Sequence, residues 1–143
     1  MTGPNAALKL LMNLARVQSL CARRFDALSV HGIGFSDFML LYFLQQSPAG
    51  KMRRIDLANR LGLTASGVTR MLLPMEKRGL VLRETHEHDA RVSYVLLSAA
   101  GRQLFEDARK TANALALEIM PAALAKNNAS LTDILTLLGG NIT

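Results

Sequence analysis

The stretch Ile55-Asp56-Leu57-Ala58-Asn59-Arg60-Leu61-Gly62-Leu63-Thr64-Ala65-Ser66-Gly67-Val68-Thr69-Arg70 decides the fold. It reads as two short helical patterns, Ile55 to Leu61 and Thr64 to Arg78, separated only by Gly62-Leu63. Two helices that cross steeply need a small residue at their closest approach, and Ala58 supplies it. The tight turn needs a residue that tolerates positive φ, and Gly62 follows four positions later. Val68 sits where the second helix must plug an apolar knob back against the first. Leu57, Leu61, Leu63, Met71 and Leu72 are expected to fill the space between them. This spacing is the pattern of a helix-turn-helix.

The polar residues of the second helix suit a groove. Thr64, Ala65, Ser66, Gly67 and Thr69 are all small, so the helix end can press into a major groove. There its hydroxyls and free N–H groups meet phosphates and base edges. Thr64 is also expected to cap the helix. Arg70, one turn in, is long enough to reach a guanine edge or a phosphate. Arg54, just before the first helix, is assigned to the same DNA-contacting set. Pro74 removes one hydrogen bond inside the helix, and it reads as a tolerated kink behind the DNA-facing turn.

Gly79 stops the second helix as a C′ glycine does. Leu80 to Glu84 and Arg91 to Leu97 are β-prone, and the polar run from Thr85 to Ala90 joins them as a hairpin. Arg91 begins the return strand beside the hairpin tip, where a guanidinium can enter a narrow, electronegative minor groove. Asp89 is placed to orient it, and His88 lies near the same groove.

Flanking helices complete the pattern. Asn5 to Ser29 reads as one long helix, apolar on nearly all faces and therefore expected to be buried against a second subunit. His31-Gly32-Ile33-Gly34 breaks it, and Ser36 is expected to cap a short apolar helix. Ser98 caps a long helix reaching about Met120. Ser130-Leu131-Thr132-Asp133 has capping-box character before a last apolar stripe, which Gly139-Gly140 closes. The expected fold is mainly α with a small β-hairpin wing. Residues 5–34 and 98–143 supply dimerisation helices, and residues 35–97 form a winged-helix lobe in a single domain of 143 residues.

Charge agrees with this division. The net charge is +6. Lys51 to Arg102 holds ten Lys or Arg against five Asp or Glu, so most of the excess sits in the lobe. Clustered positive charge favours a polyanionic partner. No apolar run is long enough to span a bilayer, and the first residues lack a secretory signal, so a cytoplasmic location is expected. The single cysteine, Cys21, cannot form an intrachain disulfide. It reads as a small buried hydrophobe rather than a redox sensor. His86-Glu87-His88-Asp89 superficially resembles metal-ligand spacing, but convergent further ligands are missing from the sequence, so no metal and no cofactor is expected. No Gly-rich phosphate loop, nucleophile elbow or paired-carboxylate arrangement is present, so an enzyme is not expected.

Over nearly its whole length the chain resembles the MarR family of winged helix-turn-helix regulators. The resemblance rests on Leu57-Ala58-Asn59-Arg60-Leu61-Gly62-Leu63, on Val68-Thr69-Arg70 with Leu72, and on Glu76-Lys77-Arg78-Gly79-Leu80-Val81. Asp89-Ala90-Arg91 and Val95-Leu96-Leu97-Ser98-Ala99-Ala100-Gly101-Arg102 complete it. It implies a transcriptional regulator, chiefly a repressor, that binds palindromic duplex DNA as a homodimer held by its first, fifth and sixth helices. It also implies release by a small phenolic or anionic effector. The rival reading is a winged-helix module for protein–protein contact.

Overall fold

A computed structural model describes residues 2–85, 88, 89, 91–125 and 129–142. Helix α1 spans Ala6–Arg24, capped by Asn5, whose side chain accepts the Leu8 N–H at 2.8 Å. The expected single helix to Ser29 is not formed. At Phe25 the chain tightens into a 3-10 helix, Phe25–His31, which closes on left-handed Gly32 at φ +74°. The reason is periodicity. Three residues per turn bring Phe25, Leu28 and His31 onto one face. Phe25 and Leu28 are buried, Phe25 stacks on Phe35 with ring centroids 4.0 Å apart, and His31 bonds to Thr111.

Helix α2, Phe35–Gln46, is capped by Gly34 and not by Ser36. Asp37 lies three residues past Gly34, and its carboxylate accepts the Gly34 N–H at 2.9 Å. That reach sets the helix start and leaves Ser36 inside the first turn. Leu40, Leu41, Phe43 and Leu44 of α2 are buried, making this helix the centre of the core.

Strand β1 (Lys51–Arg53) precedes helices α3 (Arg54–Leu61) and α4 (Ala65–Lys77), and strands β2 (Val81–Thr85) and β3 (Ser93–Leu97) follow. The expected two-stranded hairpin is in fact a three-stranded antiparallel sheet ordered β1-β3-β2. Lys51 pairs with Leu96 and Arg53 with Tyr94; Val81 pairs with Leu97 and Thr85 with Ser93. Three residues carry no readable alternation, so β1 exists because β3 offers it an edge. Lys51 then straps the sheet. Its ammonium lies 4.8 Å from the Tyr94 ring centroid on β3 and 2.7 Å from Glu84 on β2. The Glu84 hydrogen bond raises its pKa above the ordinary lysine value.

Leu57, Ala58 and Val68 are buried as the helix-turn-helix spacing requires. Leu61 and Met71 pack at its margin, but Leu63 stays 44% exposed and does not fill the gap. Its backbone is what the turn uses: the Leu63 N–H reaches the Ala58 carbonyl across left-handed Gly62. Helix α4 runs continuously through Pro74 and ends on left-handed Gly79.

Helix α5, Ala99–Ile119, is capped by Ser98 as expected. Short α6 (Ala122–Ala125) and α7 (Ala129–Leu137) follow, and Ser130 lies inside the first turn of α7 instead of capping it. The start of α5 is closely packed against the end of α4. Ser98 N–H and Ser98 Oγ both donate to the Leu80 carbonyl, at 3.0 and 3.1 Å. The same hydroxyl also reaches the Gly79 carbonyl. A Cβ at Gly101 would collide with the Leu80 carbonyl oxygen. Gly101→Ala is therefore expected to destabilise the fold by about 1–3 kcal/mol, as overpacking against fixed backbone does. Chemical denaturation checks this, and an unchanged midpoint would show that the approach is slack.

Candidate nucleic-acid interface

The N-terminus of α4 is built by short side chains. Thr64 is extended, and its Oγ1 accepts the Gly67 N–H at 3.1 Å. Ser66 Oγ lies 3.2 Å from the same hydroxyl. A Cβ at Gly67 would come within 3.2 Å of Thr64 Oγ1, so the glycine keeps the cap compact. Thr69 Oγ1 donates to the Ala65 carbonyl at 3.0 Å and accepts from Arg54 Nη1 at 3.2 Å. Arg54 is thereby laid across the positive end of the helix, where unpaired N–H groups and the helix dipole favour an anion.

The hairpin brings a second cation to this place. Asp89 Oδ1 accepts both the backbone N–H and the Nε–H of Arg91 at 3.0 Å, and Oδ2 accepts Nη2–H at 3.3 Å. The Val92 N–H closes the turn on the Asp89 carbonyl. Arg91 is held by its backbone N–H and by one edge of its guanidinium, and its side chain is 91% exposed. Arg53, Arg54 and Arg91 line one recess of about 220 Å³, together with Ala65 at the head of α4. Three arginines and a helix N-terminus thus border one space, and a cationic rim at a helix N-terminus suits phosphate.

Arg70 does not join that recess. It is exposed on α4 and borders a separate groove of about 300 Å³ with Gly32, Asp37, Pro74 and Arg78. The exposed surface therefore offers two kinds of contact from one helix, an anion recess beside the wing and a free arginine further along. His88 is exposed at the hairpin tip. His86 and Glu87 lie outside the described residues, and among the described residues no three His, Cys, Asp or Glu side chains are grouped to hold a metal ion. Sequence reasoning missed Arg53. The adjacent pair Arg53-Arg54 at a strand-to-helix junction was the available signal, since one residue faces the strand edge and the next enters the helix.

Residues 36–93 match the model of the MarR family. Over these 58 of its 143 residues the chain resembles that family. An HTH-type transcriptional regulator of Bacillus subtilis, YdgJ, is 28% identical over 134 residues, covering 94% of this chain and 79% of the relative. A MarR variant from E. coli, solved in complex with operator DNA, superposes with a TM-score of 0.82 at 22% identity. The match covers 95% of this chain and 97% of that one. The organohalide-sensing regulator RdhR-CbdbA1625, solved in its 2,4-dichlorophenol-bound form, gives a TM-score of 0.82 at 21% identity, covering 96% of this chain and 85% of that one. At these identities the structural likeness establishes the MarR winged-helix fold.

Within that fold the two anchors of the interface differ in kind. Thr64→Ala removes a helix cap and is expected to lower stability by about 0.5–2 kcal/mol. Asp89→Ala breaks a surface pair and is expected to cost about 0–1 kcal/mol, while freeing the Arg91 side chain to move. Thermal melts with side-chain NMR relaxation of Arg91 distinguish the two; equal stability losses would contradict the assignment.

Proposed function

We propose that this chain is a sequence-specific transcriptional regulator of the MarR type, acting as a repressor, that reads a palindromic duplex operator as a homodimer. The observation that carries this reading is the convergence of Arg53, Arg54 and Arg91 on the N-terminal turn of α4. Phosphate contacts made there position the protein and carry no sequence information by themselves. Sequence is then read by Arg70 in the major groove, with Thr64, Ser66, Gly67 and Thr69 at the helix end. Arg91, oriented by Asp89 and flanked by His88, reads minor-groove width in the flanks.

The dimer is supported by what the single chain leaves uncovered. Helix α1 has no buried residue, although Leu8, Leu10, Leu11, Met12, Leu14, Val17 and Leu20 are all on it. Leu131, Ile134, Leu135 and Leu137 of α7, and Leu138 just past it, are also exposed. An apolar surface of this extent is expected to be covered. In this reading residues 5–34 and 98–143 form the shared platform and 35–97 the DNA-binding lobe. Among the described residues no single helix is long and apolar enough to cross a membrane, and the protein is proposed to act on DNA in the cytoplasm, without catalysis. Release by a small phenolic or anionic effector completes the proposal, supported by the dichlorophenol-bound neighbour.

A gel shift against the region upstream of its own gene tests the core of the reading. With roughly 6–10 phosphates met per dimer, log K is expected to fall with log salt at a slope of about −5 to −9. A slope near zero would instead favour a protein-binding module. Arg70→Ala is expected to cost about 1–3 kcal/mol per half-site and to relax preference at one operator position. Arg91→Ala is expected to weaken binding most where the flanks are A/T-rich. Equal, sequence-independent losses would leave only generic phosphate binding. Light scattering that finds only the monomer at micromolar concentration would defeat the homodimer.

A further inference from the structure

The recognition helix is held at its far end by a contact that the DNA interface does not use. Arg78, the residue that ends α4, donates from Nη1 to the Gly32 carbonyl at 2.8 Å and from Nη2 to the His31 carbonyl at 3.1 Å. These are the last carbonyls of the 3-10 helix, which have no partner within that helix. A planar guanidinium suits two consecutive acceptors, and its charge suits the negative end of a helix. The site is shaped for it: a Cβ at Gly32 would meet Arg78 Nη2 at 2.9 Å. His31 continues the chain of contacts, its Nε2 lying 2.8 Å from Thr111 Oγ1 on α5.

The placement on α5 gives this relay its meaning. The lobe is already pinned to the start of α5, where the Leu80 carbonyl meets Ser98 and Gly101. Helix α2 also packs on α5, with Phe38 stacked on Phe105 four residues past Gly101, and attachments so close together leave a pivot about them. Thr111 lies ten residues beyond Gly101, about 15 Å further along the same helix. A second attachment at that distance removes the pivot and fixes an angle. Helix α4 packs mainly on α3 and β2, inside its own lobe, so the angle of the whole lobe follows.

We propose that Arg78 is a positioning residue: through His31, Gly32 and Thr111 it fixes the tilt of the DNA-binding lobe on α5, and so sets which half-site spacing the dimer accepts. This rests on the DNA-binding reading above. Two half-sites of a dimer lie about 34–36 Å apart, and one added base pair moves a half-site by about 3.4 Å and turns it around the duplex. A fixed tilt rejects that displacement, whereas a pivoting lobe follows it.

The test uses the full-length protein and operators whose half-sites are held constant while the spacer is shortened or lengthened by one base pair. Wild type is expected to prefer one spacing by about tenfold or more, the scale of a mismatched operator position. Arg78→Gln removes the charge and the paired donors, and is expected to reduce that preference to about threefold or less, with the salt slope of wild type. Thr111→Val cuts the relay at its other end and should produce the same loss of preference, and the double variant should be no worse than either. Arg78→Lys restores a cation without the paired geometry and should restore the preference only in part. Thermal melts accompany each variant.

Three results would overturn the proposal. One is a wild-type spacing preference retained by Arg78→Gln. Another is an equal loss of affinity at every spacing with a shallower salt slope, which would make Arg78 a phosphate contact. The third is a Thr111→Val protein that keeps its spacing preference while Arg78→Gln loses it. A wild-type protein that binds no duplex at all defeats the DNA-binding reading itself, which separates the two failures.

Discussion

The carbonyl oxygen of Leu80 is the point from which the rest of the lobe is arranged. It accepts from the backbone and the hydroxyl of Ser98, and it sits against the Cα of Gly101 where no side chain fits. Four elements meet there: the end of α4, the start of β2, the end of β3 and the first turn of α5. Ser98 serves all of them, because its Oγ also accepts the Gly101 N–H and so caps α5. A serine that caps one helix and at the same time satisfies the carbonyls ending another couples the wing to the long helix in a single residue. The core reinforces this, since Leu80, Val81 and Leu97 are buried beside Phe105 and Ala108.

The charge distribution follows from the same economy of partners. Within the lobe, Glu76 pairs with Arg83 at 2.9 Å and Glu84 with Lys51 at 2.7 Å, so these acids are used to join α4 to β2 and β1 to β2. Asp89 is used to orient Arg91. Among the described residues neither Arg53 nor Arg70 is paired with a carboxylate. Arg54, Arg60, Lys77, Arg78 and Arg102 are likewise without a carboxylate partner among the described residues, so the net positive charge of the segment is spread along the lobe, with Arg53 and Arg54 where α4 begins. Exposed pairs of this kind contribute roughly 0–1 kcal/mol each, so their value lies in leaving particular cations uncompensated more than in stabilising the fold.

Features set by neighbouring residues were legible in the sequence. Thr64 and Ser98 each carry a side-chain oxygen three residues before the N–H they satisfy. Gly62 and Gly79 stand where a helix must reverse, and Ala58 and Val68 where two helices touch. Features that depend on distant partners were not legible. The 3-10 helix forms because α5 and the core reward the face made by Phe25, Leu28 and His31, while helical periodicity alone continues past Arg24. Strand β1 needs β3. The Gly34 cap needs only Asp37, yet the more familiar Ser36 masks it. At the candidate interface, the Asp89–Arg91 pairing was readable from position, as was the placement of Arg54 at the start of α3. That Arg53 lines the same recess was not, because it depends on how β1 delivers that residue, and Arg70 borders a different groove.

A lobe fused to α5 through an apolar core would hold its angle at the cost of never changing it. Here the apolar contacts and the Leu80 knot fix where the lobe sits, while polar, exposed groups around Arg78 and half-buried His31 hold how it is tilted. Hydrogen bonds of this sort contribute on the order of 1 kcal/mol each, and an allosteric effector typically has about 1–3 kcal/mol of coupling free energy to apply. The two scales match. An effector can therefore shift the tilt without dismantling the lobe, because a ligand moves an equilibrium only by its differential affinity for the two states. The proposed regulation thus requires a weak joint at this place, and the division between a buried pin and an exposed clamp supplies it.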